Sequence, residues 1–176
     1  GDVLALDDVS FTVEPGEFLA VIGLSGSGKS TLLRCINRLI EPTAGQIIWN
    51  GMDITQASQD EMLRIRRKIG MVFQHFNLVS RSKVITNVLA GRLGYVNPFM
   101  SIANRFPQKD IDMALAQLER VGITDQAYKR ADELSGGQQQ RVGIARAMVQ
   151  EPEMILADEP VASLDPVLAH SIMSYL

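Results

Sequence analysis

The sequence has 176 residues, 46% of them hydrophobic and 21% charged, with a formal net charge of −3. That is the balance of an ordinary globular domain with a sizeable core, and it gives no overall electrostatic pull toward nucleic acid or an acidic membrane surface. The single cysteine, Cys35, excludes an internal disulfide, and no apolar run approaches the roughly 18 residues that span a bilayer.

In chain order, Val9-Ser10-Phe11-Thr12-Val13 alternates apolar and polar residues and reads as a half-buried strand. The turn Glu14-Pro15-Gly16-Glu17 leads to the apolar run Phe18–Ile22, which reads as a buried strand paired antiparallel with the first. There follows Gly23-Leu24-Ser25-Gly26-Ser27-Gly28-Lys29-Ser30-Thr31, which fits the phosphate-binding pattern G-x-x-x-x-G-K-[ST]. Glycines let the loop turn tightly so that successive N–H groups face phosphate oxygens. Lys29 supplies a charge for the β- and γ-phosphates, Ser30 a hydroxyl for Mg²⁺, and the helix that starts near Gly28 its positive end. Leu32, Leu33, Ile36 and Leu39 recur at helical spacing, with Cys35 expected as a small core residue.

Glu41–Gly45 reads as a turn, and Gln46–Trp49 as a strand ending in the hairpin signal Asn50-Gly51, with Trp49 a packing residue. Asp60–Lys68 is predicted to be a short helix whose Arg64, Arg66, Arg67 and Lys68 form a solvated face. Ile69–Phe73 is a strand that delivers Gln74. Helical spacing then dominates: Val84, Val88 and Leu89 mark one helix, and Ile111, Ala114, Leu115 and Leu118 another, ended by Gly122. The stretch Arg92–Met100 interrupts them with Gly and Pro. Leu134-Ser135-Gly136-Gly137-Gln138 opens a helix with Val142, Ala145, Met148 and Val149 on one side, and Ser135 is placed to cap it. The helix N-terminus is a second anion site, or a plain cap if read alone. Glu153–Ala157 is a strand ending in Asp158-Glu159-Pro160, which puts acids at the ligand edge of a parallel sheet unless this is merely an exposed acidic turn. Mg²⁺ would then sit between Ser30 and Asp158.

Taken together, these motifs resemble the ATP-binding subunits of ABC transporters. Gly23–Thr31 matches Walker A, Gln74 the Q-loop, Leu134–Gln138 the signature, Met154–Glu159 Walker B with its acid, and Ser163-Leu164-Asp165 the D-loop. The stretches Phe73–Val79 and Val88–Tyr95 resemble, more narrowly, the ATPases of bacterial phosphonate importers. The expected fold is therefore α/β: a P-loop NTPase core of ABC type, with N-terminal antiparallel β strands and an inserted helical subdomain over about residues 75–150. All 176 residues are expected to form one such domain, and both ends look cut.

The resemblance also implies roles. Glu159 and Gln74 would be catalytic, Glu159 as general base and Gln74 as sensor of the γ-phosphate. Gly23, Leu24, Ser25, Gly26, Ser27, Gly28, Lys29, Ser30 and Thr31 would bind ATP, while Ser135, Gly136, Gly137 and Gln138 would reach the nucleotide of an opposite subunit. Ser30, Gln74 and Asp158 would hold Mg²⁺, and Asp165 would bridge the two sites. The implied partners are a second copy, membrane permease subunits and, indirectly, a substrate-binding protein, with no nucleic acid. The implied location is the cytoplasmic face of the cell membrane. His170 stands too early to be the family's switch histidine and reads as a surface residue, as His75 reads as a contact residue. The adenine-stacking aromatic would precede Gly1. An importer of another anion or of amino acids, or a non-transport ABC ATPase, is the competing assignment. A GTPase or kinase would not need Leu134–Gln138.

Overall fold

The glycine that closes the phosphate-binding motif also starts the first helix. Gly28 is the N-cap of α1 (Lys29–Ile36), and its φ of 89° is a left-handed value that favours glycine. The computed structural model describes residues 4–97 and 105–160. Two units emerge, residues 1–58 and 59–176.

In the first unit, α1 buries Cys35, as expected of a small core residue. The helix stops where Arg38 turns left-handed (φ 47°). The Arg38 guanidinium then donates to the carbonyls of Ile54 (2.8 Å) and Ala57 (2.7 Å) and to Glu41 (2.9 Å), tying the helix end to the following segment. Leu39, expected on the helix, lies past its end and is 49% exposed. The hairpin forms as predicted. Strands β1 (Ile48–Trp49) and β2 (Met52–Asp53) pair antiparallel, and Asn50 and Gly51 both take positive φ (49° and 79°), as a type I′ turn requires. Trp49 is half-buried, consistent with packing. The pairing expected between residues 9–13 and 18–22 differs. Their turn exists, with Glu17 N–H donating to the Glu14 carbonyl (3.0 Å), but neither segment is a strand. Phe18 is 69% exposed and Ile22 93%, so Phe18–Ile22 is not the buried strand its composition suggests. A turn needs only its own four residues. A ladder needs a second chain segment in register, and local alternation does not supply one.

In the second unit, α2 (Gln59–Arg66) buries Met62 and Ile65; Arg64 is exposed on it and Arg66 half-buried, while Arg67 and Lys68, both exposed, lie past its end rather than on the predicted helix face. Strand β3 (Ile69–Val72), buried throughout, pairs parallel with β4 (Met154–Ala157) in the register Ile69↔Met154 to Val72↔Ala157. Between them come α3 (Val84–Leu89), α4 (Gln108–Arg120) and α5 (Gly136–Met148), joined partly by 3-10 turns. Both predicted helices of this region are present. Ala114 and Leu118 of α4 are fully buried, as its periodicity requires.

The helices and β3 share one core. Val72, Val84, Val88, Leu118, Val142, Ile144 and Val149 are each 1% exposed or less. Each such side chain contributes about 1.5–3 kcal/mol of transfer free energy. Helix α5 is buried on more than the predicted side, because Ile144 and Ala147 are enclosed along with Val142, Ala145 and Val149. Among the described residues, no helix is long and apolar enough to cross a membrane.

Candidate functional site

In the first unit, the loop Gly23–Gly28 folds back on itself. Ser27 N–H donates to the Leu24 carbonyl (3.2 Å), and Leu32 N–H donates to the Gly28 carbonyl (2.8 Å) as the helix begins. Residues 21–27, with Ser25 and Gly26 among them, are exposed. Lys29 curls over the loop, and its Nζ donates to the carbonyls of Gly23 and Leu24, both at 2.8 Å. Two neutral carbonyls hold an ammonium that a phosphate oxygen would hold more strongly. Ser30 and Thr31 follow in the first turn of α1 and are half-buried.

In the second unit, the parallel pair β3–β4 aims two loops from one sheet edge. Asp158 N–H donates to the Val72 carbonyl (2.9 Å) and extends the ladder by one residue, and the Asp158 side chain is buried with the residue 4% exposed. Glu159 takes a left-handed φ of 51°, a conformation that costs a non-glycine residue about 1–3 kcal/mol. Gln74 Nε2 donates to Glu159 Oε2 at 2.9 Å, so the two residues expected to be catalytic are in direct contact. That bond uses the amide's donor side and leaves its oxygen, Oε1, as an acceptor by type. His75, next in the chain, is exposed.

The second glycine motif forms a helix start as predicted, and its cap is reciprocal. Gln138 N–H donates to Ser135 Oγ (3.3 Å) while Ser135 N–H donates to Gln138 Oε1 (3.0 Å), a capping box. Ser135 and Gly136 are exposed, Gly137 and Gln138 half-buried. The sequence reading gave Gln138 a place at the nucleotide; here its side chain closes the cap. Asp165 and His170 lie outside the described residues.

Three residues not singled out from the sequence hold these loops. Asn87 is 2% exposed; it accepts from Val79 N–H (2.7 Å) and donates to the carbonyls of Val79 (3.2 Å) and Lys83 (3.1 Å). Gln140 donates to the Pro160 carbonyl (2.8 Å). Arg146 donates to the carbonyls of Phe76 (2.9 Å) and Asn77 (2.7 Å). Asn87 had a visible signal, a lone amide inside the apolar run Val84–Leu89. Gln140 and Arg146 had none, because their partners stand 20 and about 70 residues away.

Comparison with known proteins bears on the family and the fold. A family model described as ABC transporter matches residues 6–162. A phosphonates import ATP-binding protein of Halalkalibacterium halodurans is 57% identical over 174 residues, 99% of this chain and 68% of that protein. A protein of the same name from Nitratidesulfovibrio vulgaris is 57% identical over 171 residues, 97% of this chain and 64% of the other. The chain thus spans about two thirds of the length of these relatives. Among solved structures, a dimeric ATP-binding cassette in a post-hydrolysis state with ADP and Pi superimposes with a TM-score of 0.86 at 37% identity, covering 97% of this chain and 72% of the other. A nucleotide-free cassette from an ABC transporter gives 0.80 at 32% identity, covering 97% and 69%. With a matching family model over most of its length, a P-loop ahead of a helix, and a parallel strand pair ending in paired Gln74 and Glu159, the chain belongs to the ABC transporter family, as one of its ATP-binding cassettes.

Proposed function

We propose that this chain is the ATP-hydrolysing part of an importer for phosphonates, acting as a pair of cassettes on membrane permease subunits at the cytoplasmic face. The observation that carries the hydrolytic role is the Gln74–Glu159 contact at the end of β3 and β4. The cargo reading rests on the identity to two proteins named for phosphonate import. Residues about 75–150 serve as the cassette's helical subdomain, and a substrate-binding protein delivers the cargo.

In this reading, Lys29 leaves the carbonyls of Gly23 and Leu24 for the β- and γ-phosphates, while the N–H groups of Gly23–Thr31 line the phosphate chain. Glu159 orients a water and takes its proton, and Gln74 holds that carboxylate in place through Nε2. Mg²⁺, when bound, would supply positive charge that offsets the negative charge of the β- and γ-phosphates. The Ser30 hydroxyl, Gln74 Oε1 and the Asp158 carboxylate are the hard oxygen donors that suit it. Ser135, Gly136, Gly137 and Gln138 serve the nucleotide of the opposite subunit, at an exposed helix start. Catalysis is then mostly positioning and electrostatic stabilisation.

Glu159→Gln removes the base while keeping the shape and the hydrogen-bonding partner. It is expected to trap an ATP-dependent dimer in light scattering, which a second change, Ser135→Arg, abolishes. A Glu159→Gln protein that binds ATP and stays monomeric overturns the shared site. The cargo is tested in the source organism: growth on a phosphonate as sole phosphorus source should require the wild-type gene and not be restored by Glu159→Gln. Undiminished growth of the deletion strain overturns phosphonate import.

A further inference from the structure

The helix that begins at the signature grips both catalytic loops from behind. From α5, Gln140 binds the carbonyl of Pro160, the residue after Glu159, and Arg146 forks onto the carbonyls of Phe76 and Asn77, two and three residues after Gln74. Gln140 is 2% exposed, so its amide depends on that bond, and losing it would strand a buried polar group. A planar guanidinium fixes two acceptors relative to one another, which a single-point donor does not. Burial pulls the Arg146 pKa below its ordinary value, but a guanidinium stays protonated in proteins.

Both gripped loops carry a non-glycine residue in left-handed conformation, Asn77 at φ 48° and Glu159 at 51°. Such conformations persist only where the surroundings hold them. Helix α5 packs against β3, α3 and α4 and is largely buried, which makes it a rigid reference for both loops. Close by, Gly143 of α5 passes the Phe76 carbonyl with room for no more than ordinary contact: a Cβ there would stand 3.9 Å from it.

We propose that Gln140 and Arg146 are positioning residues for hydrolysis: through them α5 sets the separation of Gln74 and Glu159, so that one helix carries the Ser135 cap at its start and fixes the catalytic pair along its length. This rests on the assignment of Gln74 and Glu159 as the catalytic pair. The bonds of Gln140 and Arg146 described above go to backbone carbonyls, not to the side chains of Gln74 or Glu159. They act on the backbone of the loops that carry those side chains.

The test compares Gln140→Met, Arg146→Met and Arg146→Lys in the full-length protein, each alone and in a Gln74→Ala background, reading kcat, KM for ATP, affinity for a fluorescent ATP analogue, and melting temperature. Displacing a catalytic group by about 1 Å can cost on the order of 100-fold, so kcat is expected to fall about 10- to 100-fold in Gln140→Met and Arg146→Met. ATP affinity should stay within about two-fold, as for an interaction expressed only in the transition state. Arg146→Lys should recover part of the loss, because an ammonium still donates to a carbonyl. In the Gln74→Ala background, Arg146→Met should lower kcat by no more than about two-fold more, since residues acting as a unit are not additive. Losses that multiply in that background, or that follow ATP affinity and folded fraction, overturn the proposal, as does an unchanged kcat. If Arg146→Met does not fold, Arg146→Lys and Gln140→Met make the same comparison. A parent protein that does not hydrolyse ATP overturns the functional reading beneath it, whereas an active parent with unaffected variants overturns the positioning role alone.

Discussion

At the scale of single residues, two glycines of one loop separate backbone strain from crowding. Gly26 (φ 81°) and Gly28 (φ 89°) both take left-handed values. A Cβ on Gly26 would meet nothing within 4 Å, whereas a Cβ on Gly28 would stand 2.4 Å from the Ala5 carbonyl oxygen and 3.2 Å from Leu6 Cδ2. Gly26→Ala therefore carries the conformational penalty alone, about 1–2 kcal/mol. Gly28→Ala carries that penalty and a backbone clash, so it should destabilise more than Gly26→Ala in chemical denaturation. Equal losses would show that the segment at Ala5 moves aside freely. The spacing of Gly23–Thr31 announced the loop, because its chemistry is local. Which of its glycines is crowded was not legible, since the crowding atoms belong to Ala5 and Leu6, more than twenty residues upstream.

At the scale of elements, the 3-10 turn that follows α3 (Ala90–Arg92) is joined to α4 by a buried ion pair. Arg92 Nε stands 2.9 Å from Asp110 Oδ1, with the two residues 7% and 5% exposed. Arg92 also donates to the Val149 carbonyl (3.3 Å) and lies over the Tyr95 ring at 4.2 Å, and Tyr95 Oη donates to the Arg67 carbonyl (2.9 Å). Removing one partner of a buried pair leaves an uncompensated charge and costs about 3–5 kcal/mol. Arg92→Met should therefore lower stability by about that much and Asp110→Leu by less, because Glu151 also stands 3.8 Å from Arg92 Nη1, while the double change should cost less than the two losses together. A double mutant whose loss equals the sum of the singles would show that the pair does not couple. Sequence periodicity found both helices, yet it read Arg92 only as part of the interrupting stretch Arg92–Met100, whose residues 98–100 lie outside the described ones. Periodicity reports which face is apolar; it does not say which charge will be enclosed when faces meet.

At the scale of the whole molecule, nucleotide binding should appear as stability. A ligand that binds only the folded form at about 100 times its Kd stabilises by roughly 2.7 kcal/mol. ATP should raise the melting temperature of the protein, and Lys29→Met should cancel the increase while leaving the ligand-free melting temperature within a few degrees. Among the described residues, Lys29 bonds two carbonyls of its own loop, both in an exposed setting, so its loss should cost little without ligand. An ATP-dependent shift that survives Lys29→Met would place the nucleotide elsewhere.

The sequence by itself determined the features whose causes lie within a few residues. These are the phosphate-binding loop and the helix after it, the Asn50-Gly51 hairpin, the Ser135 cap, and the short apolar strands that place Gln74 and Asp158-Glu159 at their ends. Only the tertiary structure decided the parallel register of β3 with β4, the contact of Gln74 with Glu159, and the hold of Gln140 and Arg146 on the loops beside them. It also decided against a ladder between residues 9–13 and 18–22, whose alternation alone suggested one. Turns, caps and glycine loops are fixed by dihedral preferences and hydrogen bonds between near neighbours. Ladders and buried polar contacts require partners that the chain brings together only on folding, and no local pattern names them.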